Sequence, residues 1–308
     1  MSINRSGYYK RKNRILNPSK RTKQRMEDII MFEKYHEKYP SHGYRWLNAK
    51  ILLDTGQKMS DQYAHRCCKF AGIKSKSKHY AYKKSGEKVR KFENIVLASL
   101  NIDAPYQVIV SDMTAFWAKN IYRELTLYMD LRNNEIVGYG LSSRRGDPNT
   151  YYEGLTKAAE KIKGIDNLEI ILHTDQGSVY SSKSYNELLP LYHIKHSMSR
   201  AGTPTDNGAM EAINGRAKTE MFIDFKINDC ENVPDLVERY IEFFNEERPA
   251  YALGYLTPKA YKEIYGPKNS KVSTKCWLVQ YCSGCFKFYE RKIKTRKENS
   301  LQKIPFSN

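Results

Sequence analysis

The chain has 308 residues and carries 52 Lys and Arg against 34 Asp and Glu, a formal net charge of +18. That length suggests about two domains rather than one core, and the charge favours polyanionic partners, because each phosphate contact releases condensed counterions. No stretch approaches the roughly 18 consecutive apolar residues of a membrane helix, and the opening MSINRSGYYKRKNR lacks the apolar segment of a secretion signal, which predicts a soluble, cytoplasmic protein without a membrane partner.

The charge is unevenly placed. Residues 1–95 hold 24 Lys and Arg against 8 Asp and Glu, a net of +16, and residues 267–308 add +8, so residues 96–266 carry −6. Basic ends around an acidic centre suit a chain whose ends grip phosphate backbone while its centre gathers carboxylates for metal ions. Residues 1–25 show no apolar periodicity, and a basic arm is expected there, flexible or ordering as a short helix on DNA. From Met26 to His36 the apolar positions Met26, Ile29, Ile30, Phe32 and Tyr35 recur mostly at intervals of three and four, which predicts a helix. A second helix is expected from Tyr44 to Leu53, ended by Asp54-Thr55-Gly56, and a third opening on Ser60 as N-cap and running to Phe70. Helix, short turn, helix over residues 26–73 is the plan of a helix-turn-helix DNA reader. The run 74–100 that follows begins as a basic linker.

From about Tyr106 the pattern changes, and residues 101–266 are expected to form the main domain. Gln107 to Asp112 reads as a buried strand, Leu125 to Leu131 as a second and Ile136 to Leu141 as a third, with Asn133-Asn134 turning between the last two. Thr150 to Lys163 has helical spacing, and Leu168 to Thr174 is another apolar strand running into Asp175. Hairpin-linked strands followed by helix and strand predict an α/β domain with a mixed sheet flanked by helices, beside an N-terminal all-α domain. Residues 267–308 form a basic tail.

Asp112 and Asp175 each stand where an apolar strand is expected to end, the place where open α/β sheets gather ligands and catalytic groups. Glu211 lies in TDNGAMEAINGRAKTEM, where Asp206 is placed to cap a helix running to about Phe222, and Glu211, Asn214 and Lys218 then share one helical face. Three converging carboxylates repel one another unless cations are present. Mg²⁺ or Mn²⁺, which prefer oxygen ligands, relieve that repulsion and bridge a phosphodiester. His173 shares a strand face with Asp175 and is expected to be a packed, hydrogen-bonded histidine.

Four segments, in order, carry a family resemblance: SDMT at 111–114, HTDQGSVYSS at 173–182, HSMSRAGTPTDNGAMEAINGRAKTE at 196–220 and RPAYALGYLTPKAY at 248–261, with 35 residues between Asp175 and Glu211. From about His42 to Tyr261 the chain resembles the transposases of the insertion sequence 3 group, of the downstream-frame type, within the integrase-like enzymes that use a DDE triad in a ribonuclease-H-like core. The resemblance implies a metal-dependent cut-and-join reaction, in which activated water releases a 3′-hydroxyl at the element's end and that hydroxyl attacks another phosphodiester. Asp112, Asp175 and Glu211 are implied as catalytic and metal-holding residues for two Mg²⁺ or Mn²⁺ ions, with Asp112 bridging both. Lys218, Asn207, Asn214, Arg200 and Arg216 are expected to contact DNA. The implied partners are double-stranded DNA, both terminal repeats and target, and further copies of the chain, at the nucleoid of a prokaryotic cell. Relatives often need an upstream helix-turn-helix and leucine-zipper segment fused by frameshifting, so the chain by itself is expected to assemble poorly on element ends. Gln176, Thr205, Ala209 and Ala212 depart from the usual pattern, where a basic residue, an aromatic, proline and serine are common. None of them removes a carboxylate.

Other signals point less far. Cys276, Cys282 and Cys285 include one CxxC pair but have no fourth ligand nearby in the tail, so free or buried thiols are expected rather than zinc. His36, His42, Cys67 and Cys68 resemble a two-His, two-Cys zinc module, but adjacent cysteines suit one ion poorly. Two rival functions stay open on sequence grounds: a nuclease of the same fold that hydrolyses without joining, and a non-catalytic DNA-binding regulator.

Overall fold

A computed structural model describes residues 4–77, 102–163, 170–199 and 208–266. The chain divides into two units, one of residues 1–83 with 219–227, the other of residues 84–218 with 228–308. The linker beyond residue 77, the basic tail with its three cysteines, Arg200, Thr205, Asp206 and Asn207 lie outside the described residues.

The first unit is helical. Helix α1 (Arg5–Leu16) is capped by Asn4 and buries no residue, so the absence of apolar spacing there reflects a solvated helix. Helix α2 (Lys20–Lys38) starts well before Met26, because Ser19 accepts from the Thr22 amide and caps six polar residues that carry no apolar signal. Helices α3 (Tyr44–Thr55) and α4 (Asp61–Phe70) follow the expected pattern: Gly56, at φ 73°, closes α3 in the left-handed region, and Ser60 caps α4 by accepting from the Tyr63 amide. Asp28 on α2 is the polar hub, accepting from Tyr63 Oη at 2.6 Å, Gln57 Nε2 at 2.8 Å and Gln24 Nε2 at 3.1 Å. A buried carboxylate with three donors is satisfied, which lets it sit among helices. His42 stacks on Trp46 with ring centroids 3.6 Å apart, and its Nε2 lies 3.5 Å from Glu220 and 3.3 Å from Asp224. Cys67 and Cys68 are free, buried thiols.

The second unit holds a five-stranded sheet in the order β3-β2-β1-β4-β5. Its strands are β1 (Val108–Ala118), β2 (Ile121–Asp130), β3 (Ile136–Ser142), β4 (Ile170–Thr174) and β5 (Ile194–Met198). Pairing is antiparallel for β1 with β2 and β2 with β3, and parallel for β1 with β4 and β4 with β5. This mixed order is the ribonuclease-H-like arrangement. Helix α5 (Asn149–Ile162) lies on β2 and β3, and its apolar stripe closes a core with Ile109, Tyr128, Val137 and Leu172. Short helix α6 (Lys183–Leu188), helix α7 (Gly208–Ile223), helix α8 (Val233–Glu246) and helix α9 (Pro258–Tyr265) follow. Asn245 on α8 bonds both the amide and the carbonyl of Ile136, each at 2.9 Å, and so covers part of the β3 edge. No described helix is long and apolar enough to cross a membrane.

One strand differs from its sequence-based boundary in a way that matters. The reading that ends β1 at Asp112 is corrected: β1 runs six residues further, because β2 pairs with it residue by residue out to Ala118 opposite Ile121. The turn between them is Lys119-Asn120, both at positive φ, as a two-residue hairpin requires.

Asp130, fully buried at the end of β2, accepts from the Tyr106 amide at 3.0 Å and the Arg132 amide at 3.3 Å, yet burial pushes its pKa up to about 7. An acid whose pKa is raised in the folded state gives full stability below its unfolded value and loses it as pH rises through the folded one. Unfolding free energy should therefore fall by on the order of 3 kcal/mol between roughly pH 4 and pH 8 through this group. Asp130→Asn, an uncharged mimic of the protonated acid, should flatten that dependence. Urea titrations at the two pH values check this, and an equal decline in parent and variant would exclude Asp130 as its cause.

Candidate active site

Parallel pairing of β1 with β4 sets Val108 opposite Ile171, Ile109 opposite Leu172 and Val110 opposite His173. Continued by two residues, that register brings Asp112 level with Asp175, the first residue beyond β4. The carboxyl edge of the parallel half of the sheet thus carries both acids, although β1 itself continues as a hairpin arm.

The residues beside each acid are fixed by hydrogen bonds. Ser111 Oγ lies 2.7 Å from Tyr180 Oη, which ties β1 to the loop after β4 in the buried interior. Asp175 Oδ1 accepts from the Gly177 amide at 3.0 Å. Thr174 Oγ1 lies 3.0 Å from His196 Nε2, whose other ring nitrogen is 2.6 Å from Asn186 Oδ1. His173 is buried, with Nδ1 3.1 Å from Ser197 Oγ, the packed histidine that its place in an apolar strand predicts. Helix α7 reaches the pair through Asn214, buried to 4% exposure, whose Nδ2 donates to Asp112 Oδ2 at 3.0 Å.

Asn214, which spacing puts on one helical face with Glu211 and which was expected to contact DNA, bonds Asp112 in this structure. Glu211, one turn earlier, is exposed, and Arg216 and Lys218 are half-buried on the same helix. Among the described residues no three His, Cys, Asp or Glu side chains stand together as a metal-holding group. The register aligns Asp112 with Asp175, and both Asp175 and Glu211 are close enough to act on Asp112 electrostatically. Tyr180 and the Ser111 hydroxyl escaped the sequence reading, although both sit inside the segments that carried the resemblance.

The electrostatics suit a hard cation. Burial, then the charge of Asp175 and last that of Glu211 push the Asp112 pKa up to about 6, against the pull of the Met113 amide and of Asn214. Like charges that disfavour one another's ionisation, all presenting oxygen, are the donor set Mg²⁺ and Mn²⁺ prefer.

Integrase core domain family models match residues 103–204 and 192–258. An uncharacterized transposase-like protein of Haemophilus influenzae is 30% identical over 67% of this chain and 94% of its own length. The chain belongs to the integrase-core transposases. The transposase is also 29% identical, over 86% of its own length and 92% of the relative's, to the protein named InsK, assigned to insertion sequence element IS150 of Escherichia coli (strain K12). The HTLV-2 integrase catalytic core domain, solved in complex with magnesium, covers 53% of the transposase with 97% of its own chain, at 19% identity and a TM-score of 0.40. As a member of this family the transposase is an enzyme of DNA cleavage and strand transfer in the transposition of an insertion sequence.

Proposed function

We propose that the transposase cuts and joins DNA at Asp112, Asp175 and Glu211, which hold two divalent ions, Mg²⁺ or Mn²⁺. The observation that supports this most is the alignment of Asp112 with Asp175, two residues beyond the paired positions at the carboxyl edge of the parallel strands, with the Asp112 pKa raised to about 6. Asp112, partly buried, would be the ligand shared by both ions, with Asp175 and Glu211 each completing the set of one. Bound there, the ions would lower the pKa of the attacking hydroxyl and stabilise the leaving oxygen. The protein's own part is positioning. Asn214 and the Met113 amide orient the Asp112 carboxylate, and the Gly177 amide holds one oxygen of Asp175. Glu211, on an exposed helical face with three side-chain torsions, reaches the pair by choice of rotamer.

The substrates in this reading are the double-stranded terminal repeats of the element and a target duplex, at the nucleoid of a bacterial cytoplasm. Lys218 and Arg216 on α7, with Arg200 and Asn207 before it, contact the DNA, while Asn214 serves the carboxylate. Copies of the chain assemble on the DNA, with an upstream-frame product as partner or fusion.

An oligonucleotide assay separates this reaction from simple hydrolysis. With Mg²⁺, a duplex bearing the element end and a target duplex should give a joined product as well as a cut one, and EDTA should abolish both. Cut product alone, under conditions where the DNA is bound, would leave a nuclease. Binding without either product would leave a regulator.

A further inference from the structure

We infer that Arg123 is a DNA-phosphate site on the β1–β2 hairpin, serving the strand that enters the Asp112 site. In the antiparallel register Arg123 pairs with Phe116, Leu125 with Thr114 and Leu127 with Asp112. Side chains alternate along a strand, so Arg123, Phe116, Thr114 and Asp112 share one face. The separation from Asp112 to the Phe116–Arg123 pair is four residues, roughly 13 Å at about 3.3 Å per residue. That span matches about four steps of a DNA strand, which rises about 3.4 Å per nucleotide.

Arg123 is half-buried, and its Nε is enclosed without a hydrogen-bond partner. It takes part in none of the ion pairs among the described residues. The nearest acid in sequence, Glu124, cannot serve it. Glu124 pairs with Ala115 and therefore faces the other side, where its oxygens accept from Gly146 N at 2.8 Å, Asp147 N at 3.3 Å and Tyr122 Oη at 2.9 Å. A guanidinium that is partly desolvated and unpaired is costly unless a ligand completes it. The planar fork of a guanidinium matches a phosphodiester. The surrounding segment, residues 96–266, is net acidic at −6, so a cation held toward Asp112 goes against the local balance. The hairpin that carries it is anchored at its tip, where the Lys119 amide donates to Asn228 Oδ1 at 3.2 Å and Lys119 Nζ to the Cys230 carbonyl at 2.7 Å. A fixed arm projecting past the catalytic edge is a suitable guide for a strand.

This inference rests on the DNA reading above, and its test is built to fail separately. Affinity of the full chain for a duplex is measured with Ca²⁺ in place of Mg²⁺ across a salt series, for the parent, Arg123→Gln and Arg123→Lys. One lost phosphate contact reduces the slope of log K against log salt by about 0.9. Arg123→Gln should show that reduction and bind several-fold more weakly at low salt, while Arg123→Lys should keep the parent slope. Thermal melts of the three proteins establish that each is folded. An Arg123→Gln slope equal to the parent's would overturn the assignment, as would an equal loss in Arg123→Lys. If the parent itself shows no salt-dependent binding, it is the DNA reading that fails.

Discussion

Asp112→Asn is expected to abolish DNA cleavage and joining while leaving the protein folded, DNA-binding and, above about pH 6, more stable than the parent. The amide keeps the shape of the carboxyl but removes a charge that coordination needs, and loss of a bridging ligand should lower the rate by at least ~10³-fold, roughly 4 kcal/mol of barrier. The stability change has the opposite sign. Burial and the charges of Asp175 and Glu211 raise the Asp112 pKa to about 6, so in the metal-free parent its ionisation above that pH opposes folding. Asparagine removes the opposition, and the gain should shrink steeply as pH falls toward 4, since it vanishes fully only below the unfolded pKa, where the acid is protonated in both states. Catalytic sites often hold such unfavourable charge, which is why a deactivating substitution can stabilise. Oligonucleotide cleavage alongside melts in EDTA at pH 4 and pH 8 provides both readings. Undiminished cleavage by the variant would remove Asp112 from the chemistry.

Gly140→Ala should disrupt the catalytic unit as a whole. An added Cβ at this β3 position meets the Thr150 carbonyl oxygen at 2.1 Å and the Thr150 carbonyl carbon at 2.7 Å. Both are backbone atoms of α5 and neither is able to rotate away. Gly138 makes the same close approach, with the Gly154 carbonyl oxygen at 2.2 Å, so one methyl has to lift the helix from the sheet over two turns. Overpacking a core that adjusts by side-chain motion costs about 1–3 kcal/mol, and displacing a helix backbone should exceed that range or prevent folding. Gly215→Ala gives the contrast on the helix that bears Glu211: nothing lies within 4 Å of its added Cβ, and loss of unfolded-chain freedom should stabilise by about 0.4–1 kcal/mol. Urea unfolding of the three proteins measures the difference, and a Gly140→Ala variant within ~1 kcal/mol of the parent would show that the α5–sheet contact yields easily.

Much of this was readable from residues alone. The helices of the first unit after Pro40 are marked by their own ends, Gly56 and Ser60, because capping is a local interaction between neighbours in sequence. Apolar runs announced β1, β2, β3 and β4, the first and last of them running into Asp112 and Asp175, and four motif segments carried the three carboxylates and the family. Helix α2 was legible only where it is buried: residues 20–25 lie on no core, so the helix they form leaves no periodic trace. Tertiary structure decided the rest. Met113 to Ala118 carries no clear strand signal in MTAFWA, and this stretch is a strand because β2 pairs with it, a contact that local composition does not encode. The same pairing sets which face Arg123 and Glu124 occupy, since a strand's register fixes every side chain at once. Asn214 shares its helical face with Glu211 by spacing, but only the tertiary placement of α7 decides that its side chain donates to Asp112. The acids belonged to the sequence, whereas their spacing, their unequal burial and the residues that hold them were set by long-range contacts between segments about a hundred residues apart.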